Sequence, residues 1–204
     1  MLGLIIRVDQ SIVLWISHLV GQSSVLDRVM ILLASDYFLP VSISLVLLCL
    51  WFSGGSFKER DRNQKACVCS AITIGIAMGF VLVANSIWRH PHPFQDMPQL
   101  LDPVTNRIFY PIHDPSFPSN SSCLTFAAAA GVWHFNRKWG YMMLLPAVLM
   151  PLAKVYAAVY YPSDIIGGII VGILTSYFVA KIFMPLLHVP VEVGVWFLRT
   201  LRLG

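Results

Sequence analysis

Long apolar runs predict several helices that cross a lipid bilayer. A spanning helix needs about 20 apolar residues, because each residue advances the chain by about 1.5 Å through a hydrocarbon core about 30 Å thick. Four stretches reach that length: residues 25–53, which begin with an amphipathic run, and residues 66–88, 140–160 and 163–184. The chain is therefore predicted to be all-α, with its helices packed as a bundle in a membrane.

Two further segments are helical candidates that are short or interrupted. Residues 120–134 begin with three polar side chains, which is typical of a helix whose N-terminus lies inside the protein at a site. Arg7, Asp9 and Gln10 interrupt the apolar residues of the first segment, so residues 1–22 form either an interfacial helix or a first span. We expect one polytopic domain, residues 1–204, with five to six transmembrane helices.

The composition argues against a water-facing protein. Hydrophobic residues make up 57% of the chain and charged residues 12%, with a mean hydropathy of +0.71, whereas about a quarter of the residues of a soluble domain are charged. A soluble enzyme, a disordered chain and a nucleic-acid-binding protein are all disfavoured. The four cysteines lie in apolar runs and are typical of buried apolar side chains, not of metal ligands or disulfides: Cys49, Cys67, Cys69 and Cys123.

Lysine and arginine are distributed unevenly between the two ends of the predicted helices. Nine fall with the 54–65 loop, the 135–139 turn and the C-terminus, and four fall on the opposite side. Because cytoplasmic loops are enriched in these residues, the first side is predicted to be cytoplasmic and the long 89–119 loop to face outward. Residues 185–204 are predicted to form an amphipathic tail on the inner surface, with a plain tail as the alternative.

Three segments on the outward face carry the candidate chemistry. They are residues 88–94 (WRHPHPF), 116–121 (SFPSNS) and 154–164 (KVYAAVYYPSD). Since all three lie at the same end of the predicted helices, we expect them to converge on one pocket.

Two of these segments have features that suit an anion. Ser119, Asn120 and Ser121 open a helix, whose free N–H groups and dipole favour an anion, although the same residues make an ordinary N-cap. Lys154 lies in an apolar run, and an ionisable residue at membrane depth is a functional candidate. The alternative for Lys154 is snorkelling or a structural ion pair with Asp164.

The three segments together resemble the signature motifs of the type 2 phosphatidic acid phosphatase (PAP2) superfamily. The resemblance runs from about Gln10 to Phe183 and is greatest to the small bacterial undecaprenyl-diphosphatases. It implies a membrane bundle in the bacterial inner membrane that acts on a lipid phosphate. In that family, a histidine of the third motif is the nucleophile and a histidine of the second motif is the general acid.

The departures from the family pattern fall on the chemistry. His92 stands at the arginine of the first motif, and Ser121 stands at the histidine of the second. In the third motif, Lys154 replaces arginine and Tyr160 replaces the nucleophilic histidine. Only two of the family's polar site residues are unchanged, Ser119 and Asp164, while Asn85 and Ala153 replace the lysine and serine that complete the motifs.

These changes predict a lipid-phosphate-binding protein that lacks the phosphohistidine mechanism. A general acid contributes about 10²–10⁴-fold to a rate, and a serine hydroxyl cannot replace it near neutral pH. An ordinary tyrosine is only about 0.1% phenolate at pH 7. We expect the head group, for example undecaprenyl phosphate or pyrophosphate, to be bound without a cofactor or metal by these residues: Lys154, Ser119, Asn120, Ser121 and His92.

Two other functions fit the same residues. The protein could be an active but diverged lipid phosphatase or head-group transferase that uses a relocated nucleophile, with His113, His92 or Tyr160 as candidates. It could also be a structural subunit of a membrane complex with a protein partner. A zinc site from the loop histidines and Asp114 is a weaker alternative, based on the His-x-His spacing of residues 90–92.

Overall fold

Helices make up most of the computed structural model, which describes residues 2–97, 100 and 114–186, except the side chains of residues 2–5. In chain order they are α1 (Leu2–Ser17), α2 (Ser24–Ala34), α3 (Phe38–Phe52), α4 (Phe57–Ile87), α5 (Pro93–Asp96), α6 (Asn120–Trp133), α7 (Arg137–Tyr156) and α8 (Pro162–Phe178). A π-helical turn, Val179–Phe183, and a last turn, Met184–Leu186, continue α8. His113 and nearly all of the predicted tail, from residue 187 on, lie outside the described residues.

Polar side chains mark where the helices begin. Ser23, Ser56, Ser119 and Asn136 precede α2, α4, α6 and α7, and each side chain accepts a hydrogen bond from a backbone N–H of the first turn. Pro162 starts α8, where a missing N–H costs nothing. Local sequence therefore fixes these starts.

The short helix α6 lies at the centre, with α4, α7 and α8 packed around it. Its buried side chains are small, Ala127 and Ala128 among them, whereas large apolar side chains such as Phe80, Leu145 and Leu174 are exposed on the surrounding helices. Small residues inside and large apolar residues outside are typical of membrane helices, whose backbones approach closely. The cysteines are free thiols, and all but Cys49 are buried.

Glycines allow α6 to approach its neighbours. A Cβ on Gly131 would lie 2.6 Å from the backbone of Ser70 on α4, and one on Gly172 of α8 would lie 2.8 Å from the carbonyl oxygen of Cys123. The backbone atoms of neighbouring helices cannot move aside to relieve such short contacts. The position of α6, and of the motif residues at its N-terminus, therefore depends on these glycines.

The prediction of an all-α membrane bundle is confirmed, but fewer helices than predicted have the length of a span. Within the described residues three helices qualify by length and composition, Phe57–Ile87, Arg137–Tyr156 and Pro162–Leu186, and α2 with α3 adds a fourth if this pair, bent by 59°, is one span. Five to six were expected. The difference is α1 and α6, which have 16 and 14 residues and so reach about 24 and 21 Å.

Both α1 and α2 contact the end of the bundle where α7 ends and α8 begins, which we call the motif end. Val13 of α1 packs in a cluster with Val155 and Tyr161. Asp27 of α2 accepts a hydrogen bond from the Tyr156 hydroxyl. The first 34 residues therefore brace the motif end from the side.

We predict that Gly172→Ala destabilises the protein and that Gly79→Ala does not. The new methyl group at position 172 meets backbone atoms of α6, and overpacking of this kind costs about 1–3 kcal/mol. The methyl group at position 79 of α4 has no atom within 4 Å. The measurement is the thermal unfolding midpoint of each variant in detergent, and equal midpoints would contradict the account of this helix contact.

Candidate functional site

Backbone hydrogen bonds join the three motif segments at the motif end. The Ser116 N–H donates to the carbonyl of His90 (2.8 Å), and the Ser119 N–H donates to the carbonyl of Asp164 (3.0 Å). The second segment therefore lies between the first and the third, and side chains far apart in the chain become neighbours.

His92 is fully buried and is used to hold these segments together. Its Nδ1 lies 2.6 Å from the carbonyl oxygen of Val159, and its Nε2 lies 2.8 Å from the carbonyl oxygen of Asp114. Carbonyl oxygens only accept, so both bonds form only when both ring nitrogens carry a proton. The ring joins the first segment to the third and to Asp114, two residues before the second segment, and both of its polar atoms are occupied.

Lys154 is also buried, and its partner is not the predicted Asp164. The Lys154 Nζ lies 2.5 Å from Oδ1 of Asp36, in the turn between α2 and α3. Lys154 is 2% exposed, whereas Asp36 is 46% exposed. A buried ammonium group needs a counter-ion, and here Asp36 supplies it at the inner side of the site.

Ser121 and Tyr160, at the two histidine positions of the resembled family, contact each other. The Tyr160 hydroxyl hydrogen-bonds with the Ser121 side chain, and both residues are buried. Burial raises the pKa of the Tyr160 phenol above its ordinary value, and the nearby carboxylates of Asp114 and Asp36 raise it further. The phenol is therefore held neutral, which disfavours Tyr160 as a nucleophile.

Ser119 and Asn120 differ in their access to solvent. Ser119 is fully buried, and its Oγ accepts hydrogen bonds from the backbone N–H and the hydroxyl of Ser122. Asn120 is half-buried, and its Nδ2 donates to Oδ2 of Asp114 (2.6 Å). Of the five residues predicted to bind phosphate, Asn120 is the one that the structure leaves partly open.

Asp164 is buried between the second and first segments. Its Oδ2 accepts the backbone N–H of Tyr161 (2.9 Å), which closes the first turn of α8. Its Oδ1 lies 3.6 Å from Nδ1 of His90 and accepts no hydrogen bond from the described residues. The carboxylate therefore faces His90, which belongs to the first segment.

An open pocket of about 550 Å³ lies directly outside these buried residues. Its walls come from the end of α4, the loop after it, and the residues just before α6: Asn85, Ser86, Arg89, His90, Gln95 and Asp114. The pocket contains an exposed guanidinium and an imidazole. Asn85 is 7% exposed, and its Oδ1 is a buried acceptor with no partner among the described residues.

Arg89 was not among the residues predicted from the sequence to bind phosphate. The arginine of the family's first motif corresponds to His92, three residues after Arg89. Arg89 and His90 follow directly after the end of a long apolar helix, and this position is the signal that would have identified them. No three His, Cys, Asp or Glu side chains of the described residues form a group that could hold a metal ion.

Comparison with known proteins gives one family. Residues 64–186 match the PAP2 superfamily. The Undecaprenyl-diphosphatase BcrC of Bacillus subtilis is 26% identical, over 76% of this chain and 74% of that protein. The Bacitracin transport permease protein BcrC of Bacillus licheniformis is 24% identical, over 81% of this chain and 75% of that protein. The Putative undecaprenyl-diphosphatase YbjG of Escherichia coli is 26% identical, over 71% of this chain and 67% of that protein.

A solved structure has the same fold. It is the crystal structure of a transmembrane PAP2 type phosphatidylglycerolphosphate phosphatase from Bacillus subtilis, with a TM-score of 0.56. The match covers 87% of this chain and 84% of that one at 18% identity.

We predict that Asp36→Asn destabilises the protein and that Asp61→Asn, on α4, has little effect. The first change leaves the buried Lys154 ammonium without its counter-ion, at a cost of about 3 kcal/mol because Asp36 is half-exposed. The second breaks the partly exposed Lys65–Asp61 pair, one turn apart on the same helix, at a cost below about 1 kcal/mol. Unfolding midpoints in detergent measure both.

A double variant separates loss of the ion pair from loss of Asp36 itself. Adding Lys154→Met to Asp36→Asn removes the unpaired charge, so stability should recover. A double variant as unstable as Asp36→Asn alone would contradict the role given to the ion pair.

Proposed function

Because this chain belongs to the PAP2 superfamily, we propose that it binds a lipid-linked phosphate or pyrophosphate in the pocket beside Arg89 and His90. The observation that carries the proposal is an exposed arginine in an open polar pocket, whose walls come from the first motif segment and the residues just before the second. Arginine suits this role, since its planar fork of donors matches phosphate oxygens. No histidine is available at positions 121 and 160, so neither position supplies the nucleophile or the general acid that the family pattern places there.

The surroundings of the pocket favour a lipid over a soluble phosphate. Ile87 and Trp88 come directly before Arg89 and are 77% and 65% exposed. Tryptophan at the end of a spanning helix is typical of the interface between hydrocarbon and water. A head group beside Arg89 would therefore have its lipid chain next to apolar side chains, as a lipid in its own leaflet does.

The buried residues of the motif end support this pocket from the inside. Lys154 with Asp36, and His92 with its two carbonyl oxygens, hold the segments in place. We assign Ser119 and Ser121 to the same support. Asn120 adjoins the pocket through Asp114, and its amide is the one member of the predicted set that we place near the head group.

Names of the relatives favour a polyprenyl lipid. Two of them are called undecaprenyl-diphosphatases, one as a putative enzyme. With the excess of lysine and arginine at the other end of the bundle, we place the protein in a bacterial inner membrane with the pocket facing outward, where it would bind undecaprenyl phosphate or pyrophosphate.

We predict that Arg89→Gln weakens binding of undecaprenyl pyrophosphate at least about tenfold, since the loss of one charged hydrogen-bond donor costs about 1.5–3 kcal/mol. The control is Arg28→Gln, which removes an exposed arginine of α2, outside the pocket. Affinity is measured by titration of the purified proteins in detergent micelles. Equal losses in the two variants would show a general effect of surface charge and would contradict the proposed site.

A further inference from the structure

His90 lies beside Asp164, whereas position 160, where the family pattern has its nucleophilic histidine, is a tyrosine. The Asp164 carboxylate is fully buried, and one of its oxygens faces the His90 ring at 3.6 Å. That oxygen accepts no hydrogen bond from the described residues. A buried carboxylate with an open oxygen beside a histidine favours an imidazole that is held in one orientation.

Two neighbours of Nδ1 favour the tautomer of His90 that carries its proton on this nitrogen. The Asp164 carboxylate oxygen 3.6 Å away can only accept a hydrogen bond, and the Ser116 hydroxyl 2.8 Å away can accept one while it donates to the carbonyl of Pro91 at 3.0 Å. With the proton on Nδ1, the neutral ring keeps the lone pair of Nε2.

The Nε2 atom is available for chemistry. It has no hydrogen-bond partner among the described residues, and the His90 side chain is 34% exposed. The ring lies in the wall of the same pocket as Arg89. The Asp164 carboxylate that orients the ring, the open Nε2 of His90 and the Arg89 guanidinium for phosphate oxygens therefore lie close together.

We propose that His90 is a relocated nucleophile that acts on a lipid pyrophosphate, with Asp164 and Ser116 as positioning residues. The inference rests on the proposed function, because the pyrophosphate must bind beside Arg89. It differs from the sequence-based candidates His113, His92 and Tyr160. Of these, His92 has both ring nitrogens occupied and Tyr160 is sealed from the pocket.

The proposed reaction needs only the lipid pyrophosphate, His90 and water. The Nε2 lone pair forms a bond to the terminal phosphorus, the anhydride P–O bond breaks, and its electron pair leaves on the lipid monophosphate. Water then attacks the phosphorus of the phosphohistidine, the N–P bond breaks, and its electron pair returns to Nε2. The products are the lipid monophosphate and inorganic phosphate, which takes both hydrogens of the water, while Nδ1 keeps its proton throughout.

The missing general acid restricts the substrate class. A lipid monophosphate has a second pKa near 6, so it can leave as an anion without being protonated. The alcohol of a phosphomonoester leaves only if an acid donates a proton, because its pKa is comparable to the value of about 15.7 for water. Ser121 stands where that acid would be. The site should therefore cleave pyrophosphates and not monoesters.

The test measures binding and phosphate release separately, with undecaprenyl pyrophosphate and phosphatidic acid as substrates for the purified full-length protein in detergent. The main variant is His90→Asn, whose amide can still donate to Ser116 but has no nucleophilic nitrogen. His134→Gln, at the opposite end of α6, is the control histidine. We expect release from the pyrophosphate alone, an acid-labile phosphoprotein after rapid quenching, and a loss of at least about 100-fold in His90→Asn with binding retained.

Asp164→Asn tests the positioning role. The asparagine oxygen can still accept the Tyr161 N–H that closes α8, but the negative charge is lost. We expect kcat to fall at least about tenfold with KM unchanged. Loss of substrate affinity with unchanged kcat would overturn the positioning role.

The other outcomes are distinguishable. Binding without release by the native protein would overturn the inference and leave the proposed function standing. Release that persists in His90→Asn would also overturn it, by showing a different nucleophile. Failure of the native protein to bind either lipid would overturn both proposals.

Discussion

The motif end depends on the neutralisation of one buried positive charge. Lys154 is 2% exposed near the end of an apolar helix, and its ammonium group is paired with Asp36, a residue 118 positions away in the chain. A charge at this depth is costly without a partner. The pair fixes the α2–α3 turn against α7. With Lys154 held there, the cation that lines the outer pocket within the described residues is Arg89.

The fold and the chemistry of this chain rest on different residues. Small side chains and glycines bring α4, α7 and α8 close around α6 and set the positions of the three motif segments. None of these contacts requires the histidines of positions 121 and 160. The motif residues could therefore change while the fold of the PAP2 superfamily was kept, and Tyr160 with Ser121 now fill the interior of the site.

Local signals in the sequence located the apolar helices and the shared end of the three segments, because apolar runs and caps act within a few residues of the chain. They did not give every bound: the predicted 54–65 loop is helical from Phe57, and the stretch 25–53 is two helices bent by 59°.

The partners at the motif end could not be predicted, because they are set by tertiary packing. Lys154 was a candidate for phosphate binding, with an ion pair to Asp164 as one alternative, and it pairs with Asp36, while Asp164 faces His90. The span count differs because α1 and α6, with 16 and 14 residues, were counted as spans.

The proposed anion site lies outside the buried motif residues, beside Arg89 and His90. An experimental structure of the protein with undecaprenyl pyrophosphate, or with a non-hydrolysable analogue of it, tests this placement. We expect phosphate density in contact with the guanidinium of Arg89 and Nε2 of His90, with the Lys154–Asp36 pair intact. Density beside Lys154 and Tyr160, with Asp36 displaced from the lysine, would show that the anion binds to the buried motif residues instead.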